Sequence, residues 1–280
     1  MADTKRFGYC MNTSTIRGQG LSLEEEIDVI AKAGYDGIEP WIRELDAYVE
    51  GGGTLEELGR KFSDAGLSVE NLIGFFEWMV DDDSLRERGL EEARRDMEMA
   101  AKVGCKKLAA PPVGATGVEN MDPAKMIERY ARLLEIGDEY GVVPVLEFWG
   151  MSKSLCRLGE AVHVAMETGH RKACVLADVF HMYKSASPHN ALRMIGPETM
   201  AILHMNDYPD DPPRDIIKDA DRVYPGDGVA PIIQILRDLD LAGYNGMLSL
   251  ELFNQVYYEQ DALDVARKGL EKMQALVDKI

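Results

Sequence analysis

PVLEFWG at 144–150, CVLADVF at 174–180, AILHMND at 201–207 and MLSLELF at 247–253 are four short apolar runs, each carrying a potential metal ligand near its C-terminal end. The ligands are Glu147, Asp178, His204 and Glu251. Apolar runs of this length read as parallel strands buried on both faces. In an α/β barrel the C-terminal strand ends are where the loops build the active site. A single carboxylate there reads as readily as a strand cap or a lysine partner. Four in succession, at intervals of roughly 25 to 50 residues that each hold one or two βα units, read as a metal site.

Outward from these runs, helix and strand patterns alternate along the chain. Strands are predicted at about 6–12, 37–42, 69–77, 106–111, 143–149, 173–179, 200–206 and 246–253. The first helix should begin at Ser22, with Glu25 three residues on in capping-box position, and end at Gly34. Gly66, Gly104, Gly141 and Gly243 repeat that punctuation just before a strand, as the left-handed residue closing a helix does. A helix near 188–195, between the sixth and seventh strands, has the weakest pattern. Eight alternations leave a closed (β/α)₈ barrel or an open doubly wound sheet. The dinucleotide fingerprint is absent, since Arg17-Gly18-Gln19-Gly20 lacks the third glycine in register. Ligands from four consecutive strands converge only around a common axis, so the expectation is a single TIM-barrel domain over residues 1–280.

Composition fits one such domain. The chain has 280 residues, near the roughly 250 typical of the barrel, and is 46% hydrophobic. The opening MADTKRFGYCM lacks the apolar core of a signal peptide and no run reaches membrane-span length, which predicts a cytoplasmic protein without a membrane partner. Cys10, Cys105, Cys156 and Cys174 show neither CxxC spacing nor scaffold density, so reduced thiols are expected. A net charge of −18 with no basic run along the chain argues against nucleic acid. The expected partner is a small molecule, with a homo-oligomer left open.

Three carboxylates and one imidazole form an oxygen-rich donor set. It suits one divalent ion, Mn²⁺ first, then Mg²⁺ or Co²⁺, with Zn²⁺ also admissible. Four protein ligands on a six-coordinate ion leave two positions for the adjacent oxygens of a hydroxyketone. Glu147 and Glu251 are the natural acid/base pair for moving the proton beside its carbonyl. His181, three residues after Asp178, and Arg222 in Asp221-Arg222-Val223-Tyr224-Pro225-Gly226-Asp227-Gly228 sit just beyond ligand-bearing strands and can contact substrate oxygens. Trp41, Trp78 and Trp149 fall near strand ends, where an indole either faces a sugar ring or simply packs.

With the ligand set, LADVFHM, DRVYPGDG and LSLELF, the chain resembles the xylose-isomerase-like barrel family of sugar isomerases and epimerases over essentially its whole length. Through CMNTST, GYDGIE, LEFWG, DRVYPG and SLELFNQVYYE it is most similar to that family's inosose (2-keto-myo-inositol) isomerase group of inositol catabolism. The resemblance implies a divalent-metal barrel enzyme that moves a proton between adjacent carbons through an enediolate. Glu147 and Glu251 would be ligands and bases at once, and His181 and Arg222 would bind substrate. Phe148-Trp149-Gly150-Met151-Ser152-Lys153 replaces the Asn-Arg-Phe-Glu that ketohexose 3-epimerases carry after the first metal-binding glutamate, which favours a cyclic polyol ketone over a free ketohexose. An inosose-type dehydratase, a ketohexose 3-epimerase and a non-catalytic sugar-binding protein are the alternatives. The apurinic-site endonucleases need many histidines and a basic face, which five histidines and a charge of −18 do not supply.

Overall fold

The structure is a computed structural model that describes residues 6–280. Its eight strands are β1 Gly8–Asn12, β2 Gly37–Glu39, β3 Ser68–Val69, β4 Lys107–Ala110, β5 Val143–Glu147, β6 Val175–Asp178, β7 Met200–Met205 and β8 Met247–Leu250. They pair in parallel in the order β3-β2-β1-β8-β7-β6-β5-β4. The seam closes through Leu72, whose N–H donates to Lys107 O while its carbonyl accepts from Ala109 N. A (β/α)₈ barrel results, the closed form of the two architectures that eight alternations allow.

The third strand is shorter than its apolar pattern predicts. Glu70 N donates to Ile38 O and Ile73 N to Pro40 O, so three steps on this strand face two on β2. Such a mismatch is a β-bulge, which breaks the regular ladder while the segment still spans from β2 to β4.

Helices α1 Leu23–Ala33, α2 Ile42–Glu50, α3 Leu55–Asp64, α4 Asp83–Lys102, α5 Pro123–Tyr140, α6 Leu158–Glu167, α7 Val179–Lys184, α8 Ile232–Leu241, α9 Gln255–Tyr258 and α10 Ala262–Val277 complete the described fold. Helix α1 starts on the expected capping box, and Gly34 closes it at φ 99°. Gly141 does the same for α5 at φ 68°. The segment His189–Met194 is a 3₁₀ helix rather than an α-helix. No described helix is long and apolar enough to cross a membrane. All four cysteines are free.

Two packed regions set the height of the site in the barrel. Between helices and strands lies a continuous apolar shell that includes Leu45, Trp78, Tyr130 and Met273. Inside the barrel, Ala109, Val145, Leu176 and Ile202 form a separate cluster with Trp41 and Ile73. Strand residues two apart share a face. The next inward positions on β5, β6 and β7 are therefore Glu147, Asp178 and His204, one layer above that apolar floor.

Asp96 of α4 illustrates the cost of a carboxyl placed in the shell. It is 1% exposed under Gly74, and burial pushes it up to about 7 despite Arg95 beside it. Between the ordinary carboxyl range and that value the folded state holds a proton the unfolded chain has lost. Stability therefore falls as pH rises through this window. Asp96→Asn removes the loss, so the variant should gain on the native chain by up to roughly 1.4 kcal/mol per pH unit between pH 4 and pH 7. Melting curves of both chains across that range check it, and a stability difference independent of pH would refute it.

Candidate metal centre and catalytic pocket

Asp178, His204 and Glu251 come together at the C-terminal mouth of the barrel, each offering a ligand atom within 4.8 Å of the other two. All three are buried. His204 Nδ1 lies 3.2 Å from Glu251 Oε2 and 3.8 Å from Asp178 Oδ2, yet makes no aligned hydrogen bond. A buried imidazole nitrogen without a hydrogen-bond partner, facing two carboxylates, fits a divalent cation. The opposite face of the ring is anchored, with His204 Nε2 3.2 Å from Glu39 Oε2. A carboxylate behind a ligating histidine fixes the tautomer and turns the other nitrogen's lone pair toward the metal.

Glu39 is fully buried and held by Asn71 Nδ2, which donates at 3.0 Å, and by the Ser249 hydroxyl. Glu39 is not among the ligands expected from the sequence, although GYDGIEPW carries the same strand-end signal as the runs of Glu147, Asp178 and Glu251. Burial alone would lower the His204 pKa. The Glu251 and Glu39 carboxylates override it and hold the imidazole well above its usual range. Such a concentration of negative charge on one ring is what a bound cation relieves.

Glu147 stands apart from the close triad. Its carboxylate lines the same cavity, and Oε1 accepts from Trp149 Nε1 at 3.0 Å. Burial pushes it up to about 8, with His204 pulling it down and Glu251 and Asp178 pushing it further up. Those couplings place Glu147 within electrostatic reach of all three.

Two asparagines and an arginine orient the triad. Asn12 Nδ2 donates to Glu251 Oε1 (3.1 Å) while its Oδ1 accepts from Trp41 Nε1 (2.8 Å). Asn206 Nδ2 donates to Asp178 Oδ2 at 2.9 Å. Arg222, 1% exposed, donates from Nη1 to Asp178 Oδ2 (2.9 Å) and Glu251 Oε2 (2.7 Å), and from Nη2 to Asp219 Oδ1 (2.6 Å). Burial would raise the Asp178 pKa, but Arg222, His181 and His204 bring it down to about 2. Arg222 thus lines the cavity as expected and is also the counter-charge of two triad carboxylates.

His181 is turned toward the cavity by local structure rather than by a loop. Asp178 caps α7, its Oδ1 accepting from His181 N at 2.7 Å. The ring then sits in the first helical turn, with Nε2 3.4 Å from Arg222 Nη2. Burial lowers its pKa, which favours the neutral imidazole. Asp207 builds the loop that carries Arg222, its carboxylate accepting from the backbone N–H of Tyr208, Gly226, Gly228 and Ala230.

Glu147, His181, Asp219, Arg222 and Glu251 open into a cavity of about 540 Å³ lined also by Trp41, Phe75, Trp149, Met151 and Phe253. Trp41 and Trp149 therefore belong to the site, whereas Trp78 is fully buried, donates to Pro111 O and packs on Tyr130.

A family model described as xylose isomerase-like TIM barrel matches residues 27–276. The chain is 27% identical to an inosose isomerase of Halalkalibacterium halodurans, over 96% of each chain. It is 24% identical to a fructoselysine 3-epimerase of Escherichia coli O157:H7, covering 92% of this chain and 95% of that one. It superposes on the crystal structure of an IolI protein with a bound zinc atom at TM-score 0.90 and 22% identity, covering 98% of this chain and 99% of the other.

Proposed function

This chain belongs to the xylose isomerase-like TIM barrel family, and on that premise we propose that it is a divalent-metal-dependent isomerase or epimerase of an inosose-like polyol ketone. The observation that carries the reading is the buried group of Asp178, His204 and Glu251, with Glu147 and Glu251 lining one cavity. We assign all four as ligands, with Mn²⁺ the preferred ion because oxygen donors outnumber the single nitrogen. Zinc, which the IolI protein binds, is the competing ion. The bound ion would polarise the substrate carbonyl and offset the negative charge that develops on it.

The residues of the chain do the rest. Glu147 ends β5 and Glu251 follows β8, three strands away around the barrel, so one removes the proton beside the carbonyl and the other returns a proton to the enediolate. Which carbon receives it decides between isomer and epimer. His181 donates to a substrate oxygen, Arg222, its donors held by Asp178, Glu251 and Asp219, fixes the carboxylates beside it, and the indoles of Trp41 and Trp149 offer the substrate flat apolar surface. The inosose isomerase relatives support a place in inositol catabolism, and we place the enzyme in the cytoplasm.

Proton NMR of 2-keto-myo-inositol in D₂O with added Mn²⁺ tests this. Deuterium should replace one proton beside the carbonyl, and a chelator should stop the exchange. An exchange rate equal to that of the protein-free control, across inososes and ketoses, would overturn the assignment.

A further inference from the structure

The cavity has two chemically different parts. Its floor carries Glu147, His181, Arg222 and Glu251, none more than 5% exposed. At its rim stand Phe75 and Met151, 40% and 44% exposed. One chain of aromatic rings joins rim to floor, with centroids 6.3 Å apart from Phe253 to Trp41, 5.0 Å from Trp41 to Phe75 and 6.1 Å from Phe75 to Trp149. The indoles are fixed in place, Trp41 by its hydrogen bond to Asn12 and Trp149 by its bond to Glu147.

A hydroxylated ring needs several polar partners and one flat surface for its C–H face. The floor supplies the partners and one indole suffices for the face, which leaves Phe75, Met151 and the second indole without a role toward such a ring. Size points the same way. A cavity of about 540 Å³ falls among sites that bury a drug-sized ligand, whereas a six-carbon polyol ketone has only about a dozen non-hydrogen atoms. Charge narrows the chemistry further. Among the described residues lining the cavity Arg222 is the one cation, and Asp178, Asp219 and Glu251 already take its donors. Arg17 stacks on Trp41 and Phe253 (4.3 and 5.2 Å to the ring centroids) and Arg43 on Trp41 (4.4 Å), so the uncharged outer surface is the one formed by Phe75, Trp149 and Met151, which suits an apolar group.

We propose that the substrate is a polyol ketone bearing a neutral, planar apolar substituent, its hydroxyketone on the polar floor and its substituent between Phe75, Trp149 and Met151. The inference rests on the isomerase reading and names the substrate class for it. Phe75 and Met151 determine the preference for the substituent, and the floor groups act on the ketone.

Isothermal titration calorimetry of the full chain with Mn²⁺ tests the inference, using 2-keto-myo-inositol and its mono-O-phenyl ethers at the ring positions remote from the carbonyl. At least one ether should bind about tenfold tighter than the parent. In Phe75→Ala that preference should fall to about threefold or less, and Met151→Ser should lower it in the same direction. Phe75 is partly solvent-exposed, so its replacement leaves the fold intact. Ethers binding no tighter than the parent, or a preference that survives in Phe75→Ala, would overturn the inference. Deuterium exchange, read separately, distinguishes the two failures. Exchange without a phenyl preference sinks the inference alone, and a phenyl preference without exchange sinks the isomerase reading on which it stands.

Discussion

Glu147→Gln and Glu251→Gln each lower the rate of deuterium exchange beside the carbonyl by at least about 100-fold. The two variants differ in what else they disturb. Glu147 has one hydrogen-bond partner at the site, the Trp149 indole, and the amide oxygen of a glutamine accepts that bond equally well. Glu147→Gln therefore loses the base with little loss of stability. Glu251 accepts from Asn12 through Oε1 and from Arg222 through Oε2. In Glu251→Gln the amide NH₂ must face one of those donors, so this variant should also melt lower. Near-normal exchange in either variant rules out proton shuttling by the pair. Unaltered turnover with no solvent deuterium in the product would instead identify a hydride shift between the two carbons.

The signals that were legible in the sequence share a physical origin. Buried parallel strands must be apolar on both faces, so β5 to β8 announce themselves, and a polar residue closing such a run must have a reason to be there. Helix ends must satisfy free N–H and C=O groups, which makes Ser22-Glu25 and Gly34 readable at a distance of a few residues. Features that depend on pairing across the fold were not readable in this way. The bulge that shortens β3 is set by its register on β2, and no local pattern encodes it.

Residue roles follow the same division. Asp178 as the cap of α7 is a local relation, three residues long, yet the apolar VFHMY that follows reads as strand or loop as readily as a single helical turn. Glu39 carried the right signal, but its work as a brace behind His204 appears only when β2 and β7 meet across the barrel. A reading along the chain finds no basic cluster either, while folding brings Lys106, Lys107, Arg171 and Lys172 around one depression with Tyr244 and Gly246. Arg222 was legible as a loop residue near the substrate. Its full burial between Asp178 and Glu251 was not, because the loop is drawn inward by Asp207, which collects four backbone N–H groups.

That burial leads to the second large effect. Arg222→Ala leaves Asp178 and Glu251 inside the barrel without the guanidinium that donates to both, and Asp219 without its partner. Breaking a buried ion pair from one side typically costs about 3–5 kcal/mol, because the remaining charge stays desolvated and unpaired. The metal-free protein should lose stability on that scale. Arg222→Lys should recover only part of the loss, since one ammonium cannot reproduce donors that reach Asp178, Glu251 and Asp219 at once. Saturating Mn²⁺ should narrow the gap between Arg222→Ala and the native chain, because a cation held by the same carboxylates replaces the missing positive charge. Urea denaturation of the native chain and both variants, with chelator and with Mn²⁺, checks these outcomes. A loss below about 1 kcal/mol in the metal-free Arg222→Ala protein would show that the guanidinium is not the counter-charge of the ligand set, and its role would then reduce to substrate contact.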